Sequence, residues 1–130
     1  MTRMSSDVRD RWVAALRSGR FVQGRLRLTT VRDDVTRHCC LGVLCELALE
    51  AGVELTVKER ELSTGARRRT YDNITSYPPD AVLAWAGLDV PDPSVTVPFD
   101  GVGRSFRLSD LNDDLYWTFT QIADVVEGQL

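Results

Sequence analysis

The chain reads as an α+β domain, with a small antiparallel sheet of about three to five strands packed with about four helices around a buried central helix. Three observations predict this. The stretch Cys39–Ala51 carries only two charges, Glu46 and Glu50, so a helix there is apolar on most of its circumference and belongs inside a domain. Two further segments repeat apolar residues at helical spacing, Val8, Trp12, Ala15 and Leu16 near one end and Ile122, Ala123, Val125 and Val126 near the other. Between them, short runs alternate with period two beside two-residue turn signals.

Ser5 or Ser6 is placed to cap a first helix running to about Ser18, with Asp7 near its positive end and Gly19 beyond its last turn. Phe21–Gly24 is a connector. Leu26, Leu28 and Thr30 then alternate with Arg25, Arg27 and Thr29 as a strand would, and Asp33-Asp34 is a two-residue turn into a return strand, Val35–His38. That strand leads into the central helix, in which Gly42 allows close approach of another element and Gly52 is a natural stop. Val53–Val57 alternates and reads as a third strand. Residues 58–70 are charged and poor in apolar side chains, and are expected to form a mobile surface loop. Pro78-Pro79 opens a short helix, Asp80–Ala86, stopped by Gly87. Val95–Val97 and Val102–Arg107 flank an Asp100-Gly101 hairpin turn, with Pro98 confined to an edge. Ser109 caps a helical turn over Asp110–Asp113, and Thr118 with Gln121 forms a capping box for the last helix.

At 130 residues this is one domain, expected to bury about 65–70% of its unfolded surface. No stretch is long and apolar enough to span a bilayer, and Met1–Asp7 lacks the apolar core of a signal peptide. The expected location is the cytoplasm, with three reduced cysteines. The net charge of −3 hides an asymmetry: residues 1–38 sum to +5 and residues 39–130 to −8. The basic third is expected to face the acidic remainder of the same molecule. Nucleic-acid domains are usually basic overall, so a nucleic-acid partner is not the expectation.

His38 with Cys39, Cys40 and Cys45 invites a metal site, yet on a helix Cys40 and Cys45 lie about 140° apart and Cys39 and Cys45 about 120° apart. The Cys-x-x-Cys spacing of zinc sites is missing and there is no second histidine, so no metal is expected. A nucleophilic pair of Cys39 or Cys40 with His38 is the enzymatic alternative, since a helix N-terminus lowers a thiol pKa. Asp110–Asp114 begins like a calcium loop but has Leu115 where glycine is needed and Gln121 where glutamate is needed. No phosphate loop, nucleophile elbow or cofactor-binding motif is present, and no cofactor is expected. Asn73-Ile74-Thr75 matches the glycosylation pattern by chance.

Three patches are familiar together. They are Trp12–Gly24, His38–Cys45, and Leu108–Asp113 with Phe119–Asp124. The combination resembles a family of small, mostly uncharacterised proteins encoded by bacteriophages and prophages. That resemblance implies an accessory protein acting inside an infected bacterium, and it transfers no catalytic residue. The expected function is binding, of a host protein or of a small anionic ligand such as a nucleotide signal. Candidate contact residues are Arg17, Gln23, Arg25, Arg27, His38 and Asn112, with a structural role, tying connectors to neighbouring backbone, the favoured reading of Gln23 and Asn112. An Arg-mediated nucleic-acid binder is a further alternative, and self-association is left open.

Overall fold

The computed structural model describes residues 4–130; Met1–Arg3, the start of the polar N-terminus, lie outside the described residues. Helix α1 (Ser6–Arg17) starts where the Ser5 hydroxyl accepts from the Val8 N–H, and the chain leaves it through Gly19 at φ +74°. Its buried stripe of Val8, Trp12, Val13, Ala15 and Leu16 packs against α2 (Cys40–Glu50) and the final helix α5 (Phe119–Gln129). Trp12 is fully buried, and its indole N–H donates to the Cys40 carbonyl at 2.9 Å, which satisfies the one polar atom of that side chain. Helix α2 is buried along most of its length, as its composition predicts. A Cβ on Gly42 would stand 1.9 Å from the Leu28 carbonyl oxygen, so only glycine lets this helix lie against the Leu28 backbone.

Two short helices complete the set. Helix α3 (Asp80–Ala86) ends in Gly87 at φ +72°, and α4 is Leu108–Asp113. The count of five helices, against about four expected, comes from α4 being regular enough to stand as its own element. Its start differs from the reading of Ser109 as the cap. The Asp110 carboxylate accepts from the Arg107 N–H at 3.0 Å, while Ser109 bonds Asp92 across the structure. Helix α5 has the expected box: Gln121 Oε1 accepts from Thr118 N–H and Thr118 Oγ1 from Gln121 N–H.

The main sheet has five strands: β1 (Val22–Gln23), β2 (Thr29–Arg32), β3 (Val35–His38), β4 (Val57–Glu61) and β5 (Arg67–Tyr71), in the order β1-β3-β2-β5-β4. β1 runs parallel to β3 and the other pairs are antiparallel, so the sheet is mixed. A separate hairpin pairs β6 (Ser94–Phe99) with β7 (Val102–Arg107) through Asp100-Gly101, both at positive φ.

Four expectations need correcting. The connector 21–24 contains β1, which is too short for any periodicity to reveal. The 26–30 alternation is broken because Leu26 takes φ +73°; the strand begins at Thr29, and Thr29, not Thr30, is buried. Residues 53–56 form no strand, and pairing starts at Val57. The stretch expected as a loop over 58–70 is the β4–β5 hairpin. It has almost no apolar residues to pattern, and is joined instead by ion pairs: Glu59 lies opposite Arg69 and bonds it at 2.9 Å, with Arg67 on its other oxygen at 3.3 Å.

Candidate functional site

The expected contact residues divide into three groups. Gln23 and Asn112 meet directly, and Arg25 and Arg27 flank Leu26 in the loop they hold, with Arg27 Nη1 donating to the Leu26 carbonyl at 2.9 Å. Asn112, fully buried, uses all of its amide: Oδ1 accepts from Gln23 Nε2 at 2.9 Å and from the Cys40 N–H at 3.3 Å, while Nδ2 donates to the Gly24 carbonyl and to Asp113 Oδ1, both at 2.8 Å. Gln23 Nε2 also donates to the Trp117 carbonyl at 2.8 Å, and Asp113 accepts from the Leu26 N–H at 3.0 Å. This amide clamp joins the β1–β2 loop to the chain between α4 and α5. It holds Leu26 and Tyr116 at φ +73° and +54°, and these are among the most exposed large apolar side chains, 65% and 67% accessible. Arg25 lies over the Tyr116 ring, 4.4 Å from its centroid. Gln23 and Asn112 are thus positioning residues, and the loop they hold is the exposed part.

Arg17 stands apart, on the last turn of α1. It bonds Asp124 at 2.7 Å and Glu127 at 3.2 Å, which raise its pKa further and join α1 to α5, so its charge is already answered.

His38 belongs to a third, buried group. Tyr71 donates to Glu46 at 2.6 Å, so it accepts from Thr29 at 2.8 Å; Thr29 has one hydrogen and therefore accepts from His38 Nδ1 at 2.7 Å. Arg69 completes the network, bonding Glu46 at 3.0 Å. Burial lowers the His38 pKa and raises that of Tyr71. Neither candidate thiol bonds His38. Cys39 Sγ accepts from the Gly42 N–H at 3.4 Å as the cap of α2, and Cys40 Sγ faces the Leu108 carbonyl. Burial pushes the Cys39 thiol up to about 12 and Cys40 and Cys45 well above their usual range, which is the opposite of what a nucleophile requires.

A feature that local sequence reading missed is the outer face of the sheet. Directly opposed strand residues share a face, and successive residues alternate. Thr29, Val31, His38 and Tyr71 point inward and are buried; Glu59, Arg67 and Arg69 share that face nearer its rim, Arg69 half-buried and Glu59 and Arg67 exposed. The other face carries Val22, Thr30, Arg32, Val35, Arg37, Lys58, Arg60, Arg68 and Thr70. Five of these are cationic and none is acidic. One registered row crosses all five strands, Val22–Arg37–Thr30–Arg68–Arg60. Among the described residues none of the five cations has an ion-pair partner, whereas Arg67 and Arg69, on the opposite face of the same strand, are both paired. Arg68 Nε is buried without a hydrogen-bond partner. A cleft of about 450 Å³ lies beside the row, lined by Lys58, Glu59, Arg60, Thr70 and Asn73; the Glu59 carboxylate is drawn to Arg67 and Arg69. A second cleft of similar volume between α1 and α2 offers Arg11 and Arg20, but Glu50 already holds Arg20. The signal for the outer face was present in the alternating signs of Lys58-Glu59-Arg60-Glu61. It becomes legible only once that segment is known to be a strand.

The model of a protein family described as a domain of unknown function, DUF8296, matches residues 4–130. No curated protein and no solved structure shows significant similarity to the chain.

Proposed function

The chain belongs to the DUF8296 family, and we propose that it works as a non-enzymatic binding protein whose ligand is an anion seated on the outer face of the sheet. The observation that carries this reading is the Arg60–Arg68 pair, two arginines at directly opposed strand positions with no ion-pair partner among the described residues. Like charges at directly opposed positions cost stability, on the order of several tenths of a kcal/mol, and Lys58 adds to that cost. The fold does not need this arrangement, because the other face of the same two strands pairs its arginines with glutamates. A bound anion turns the repulsion into attraction. On this reading the protein acts in the cytoplasm of an infected bacterium, which is what its resemblance to phage-encoded proteins implies.

The test is thermal denaturation at low ionic strength with inorganic pyrophosphate and with a nucleoside triphosphate. A rise in melting temperature that is lost in Arg60→Ser/Arg68→Ser and kept in Arg17→Ser is the expected result. No rise with these probes or with a longer phosphate polymer, or a rise unchanged in the double variant, overturns the reading. A second reading, contact with a host protein through the Leu26–Tyr116 loops, is favoured by one observation. Two exposed apolar side chains are held in a backbone region that non-glycine residues rarely adopt, which is strain of the kind stored at binding sites. A photo-crosslinking residue at Tyr116 should then capture a bacterial protein that one at the exposed Val102 does not; equal capture at both positions removes this reading.

A further inference from the structure

The layout of the cations on the outer face bears on the size of the anion it takes. Strands lie about 4.8 Å apart, so the row from Arg37 on β3 to Arg60 on β4 crosses three spacings, about 14 Å. Arg32 and Lys58 stand two residues to either side of that row, separated along the strands by about 13 Å. A single phosphate or diphosphate group reaches two or three such side chains and leaves the rest unanswered. Each strand of a duplex carries one charge per roughly 3.4 Å of helix axis, and a 14 Å span therefore presents about four consecutive phosphodiesters. We infer that the anion is a nucleic-acid backbone, held through consecutive phosphodiesters across the sheet; the inference rests on the outer face being an anion site at all.

The remaining residues of the face decide how such a polymer is read. Val22, Thr30, Val35 and Thr70 include no aromatic ring on which a base could stack. They also include no asparagine or glutamine for base edges, and a broad sheet face does not enter a groove as a helix or two-stranded ribbon does. Contact is to phosphate only, and sequence is not distinguished. The molecule's overall net charge of −3 does not oppose this, because the outer face itself carries no carboxylate. The phosphates can come from a duplex or from a single strand, and the two are separated by experiment.

Fluorescence anisotropy of the full chain with a labelled duplex of about 20 base pairs, with one of its strands alone, and with two unrelated sequences provides the test. Binding of either polymer form is expected at low salt, equal across sequences. For contact with all five cations the slope of log K against log salt should be roughly −3.5 to −4.5. The form that binds tighter identifies the source. Arg60→Ser/Arg68→Ser should weaken binding more than about tenfold, and the exposed Arg37→Ser on β3 should do so by several-fold where the hairpin is untouched; Arg107→Ser should change nothing. Pyrophosphate binding as tightly as the polymers overturns the nucleic-acid inference while leaving the anion site standing. A strong sequence preference, or affinity unchanged by salt, overturns it as well. Failure of every phosphate-bearing probe at low salt removes both.

Discussion

Counting hydrogens along Glu46, Tyr71, Thr29 and His38 leaves Nδ1 of the imidazole protonated, and burial keeps the ring neutral by lowering its pKa below the ordinary 6.5. Glu46 pulls the other way and Arg69 the same way, each at longer range than the desolvation. The sign of the pH dependence follows. The folded pKa is below the unfolded one, so between the two values the unfolded chain binds more protons, and stability rises with pH there. The contribution is complete above about pH 6.5 and is lost as pH falls through that value toward the folded pKa. Melting temperature should therefore fall between about pH 7 and pH 5, and His38→Gln should flatten that fall. A variant with the wild-type slope would assign the acid sensitivity to carboxylates instead. Thr29 is the residue through which this matters structurally, since it ties His38 on β3 to Tyr71 on β5 beneath the middle of the sheet.

At the scale of elements, β4 is an open edge, and its charges explain how it stays unpaired. The flanking rungs are Asp72 N–H to Thr56 carbonyl and Leu62 N–H to Ala66 carbonyl, so the even residues of β4 bond toward β5. The backbone groups of Val57, Glu59 and Glu61 are left facing outward. A second β4 pairing antiparallel with this edge must match odd residues with odd and even with even. Every such register sets glutamate opposite glutamate or Lys58 and Arg60 opposite their own kind, which repels. Replacing Lys58, Glu59, Arg60 and Glu61 by threonine should produce concentration-dependent dimers in light scattering coupled to size-exclusion chromatography. A variant that stays in the wild-type oligomeric state at every concentration would show that charge is not what protects the edge. The same segment shows what a single sequence discloses. Asp33-Asp34 was readable as a hairpin turn because both residues tolerate positive φ, and Thr118 with Gln121 because a capping box is local. β4 and β5 were not, because β4 alternates in the sign of its charges rather than in hydrophobicity and β5 carries arginine on both faces. Leu26 was not, because the bond that holds its backbone comes from Asp113, 87 residues away.

Over the whole molecule, the charge asymmetry read from composition resolves into two arrangements. Part of the basic N-terminal third does meet the acidic remainder, through Arg17 with Asp124 and Glu127 and Arg20 with Glu50. Arg32 and Arg37 do not; with Lys58, Arg60 and Arg68 they form the unpaired face, assembled from strands that are remote in sequence. These two arrangements respond to salt in opposite directions. Screening weakens the exposed pairs and relieves repulsion among cations that all lie within about 15 Å of each other. At roughly 0.01 M salt the Debye length of about 30 Å leaves that repulsion in force, and at 0.15 M, where it is about 8 Å, most of it is gone. Comparing variants isolates each part. Arg60→Ser should gain less melting temperature than wild type when chloride is raised over that range, because it starts with less repulsion to relieve. Arg17→Ser should gain more, because it has lost a contact that salt would have weakened. Should both variants follow the wild-type curve, the segregated charges carry no folding cost, and the outer face holds no repulsion for a ligand to relieve. If they diverge as expected, adding phosphate at the same ionic strength should stabilise wild type beyond what chloride does and leave Arg60→Ser/Arg68→Ser where chloride left it, since screening acts on every cation but binding acts on that row.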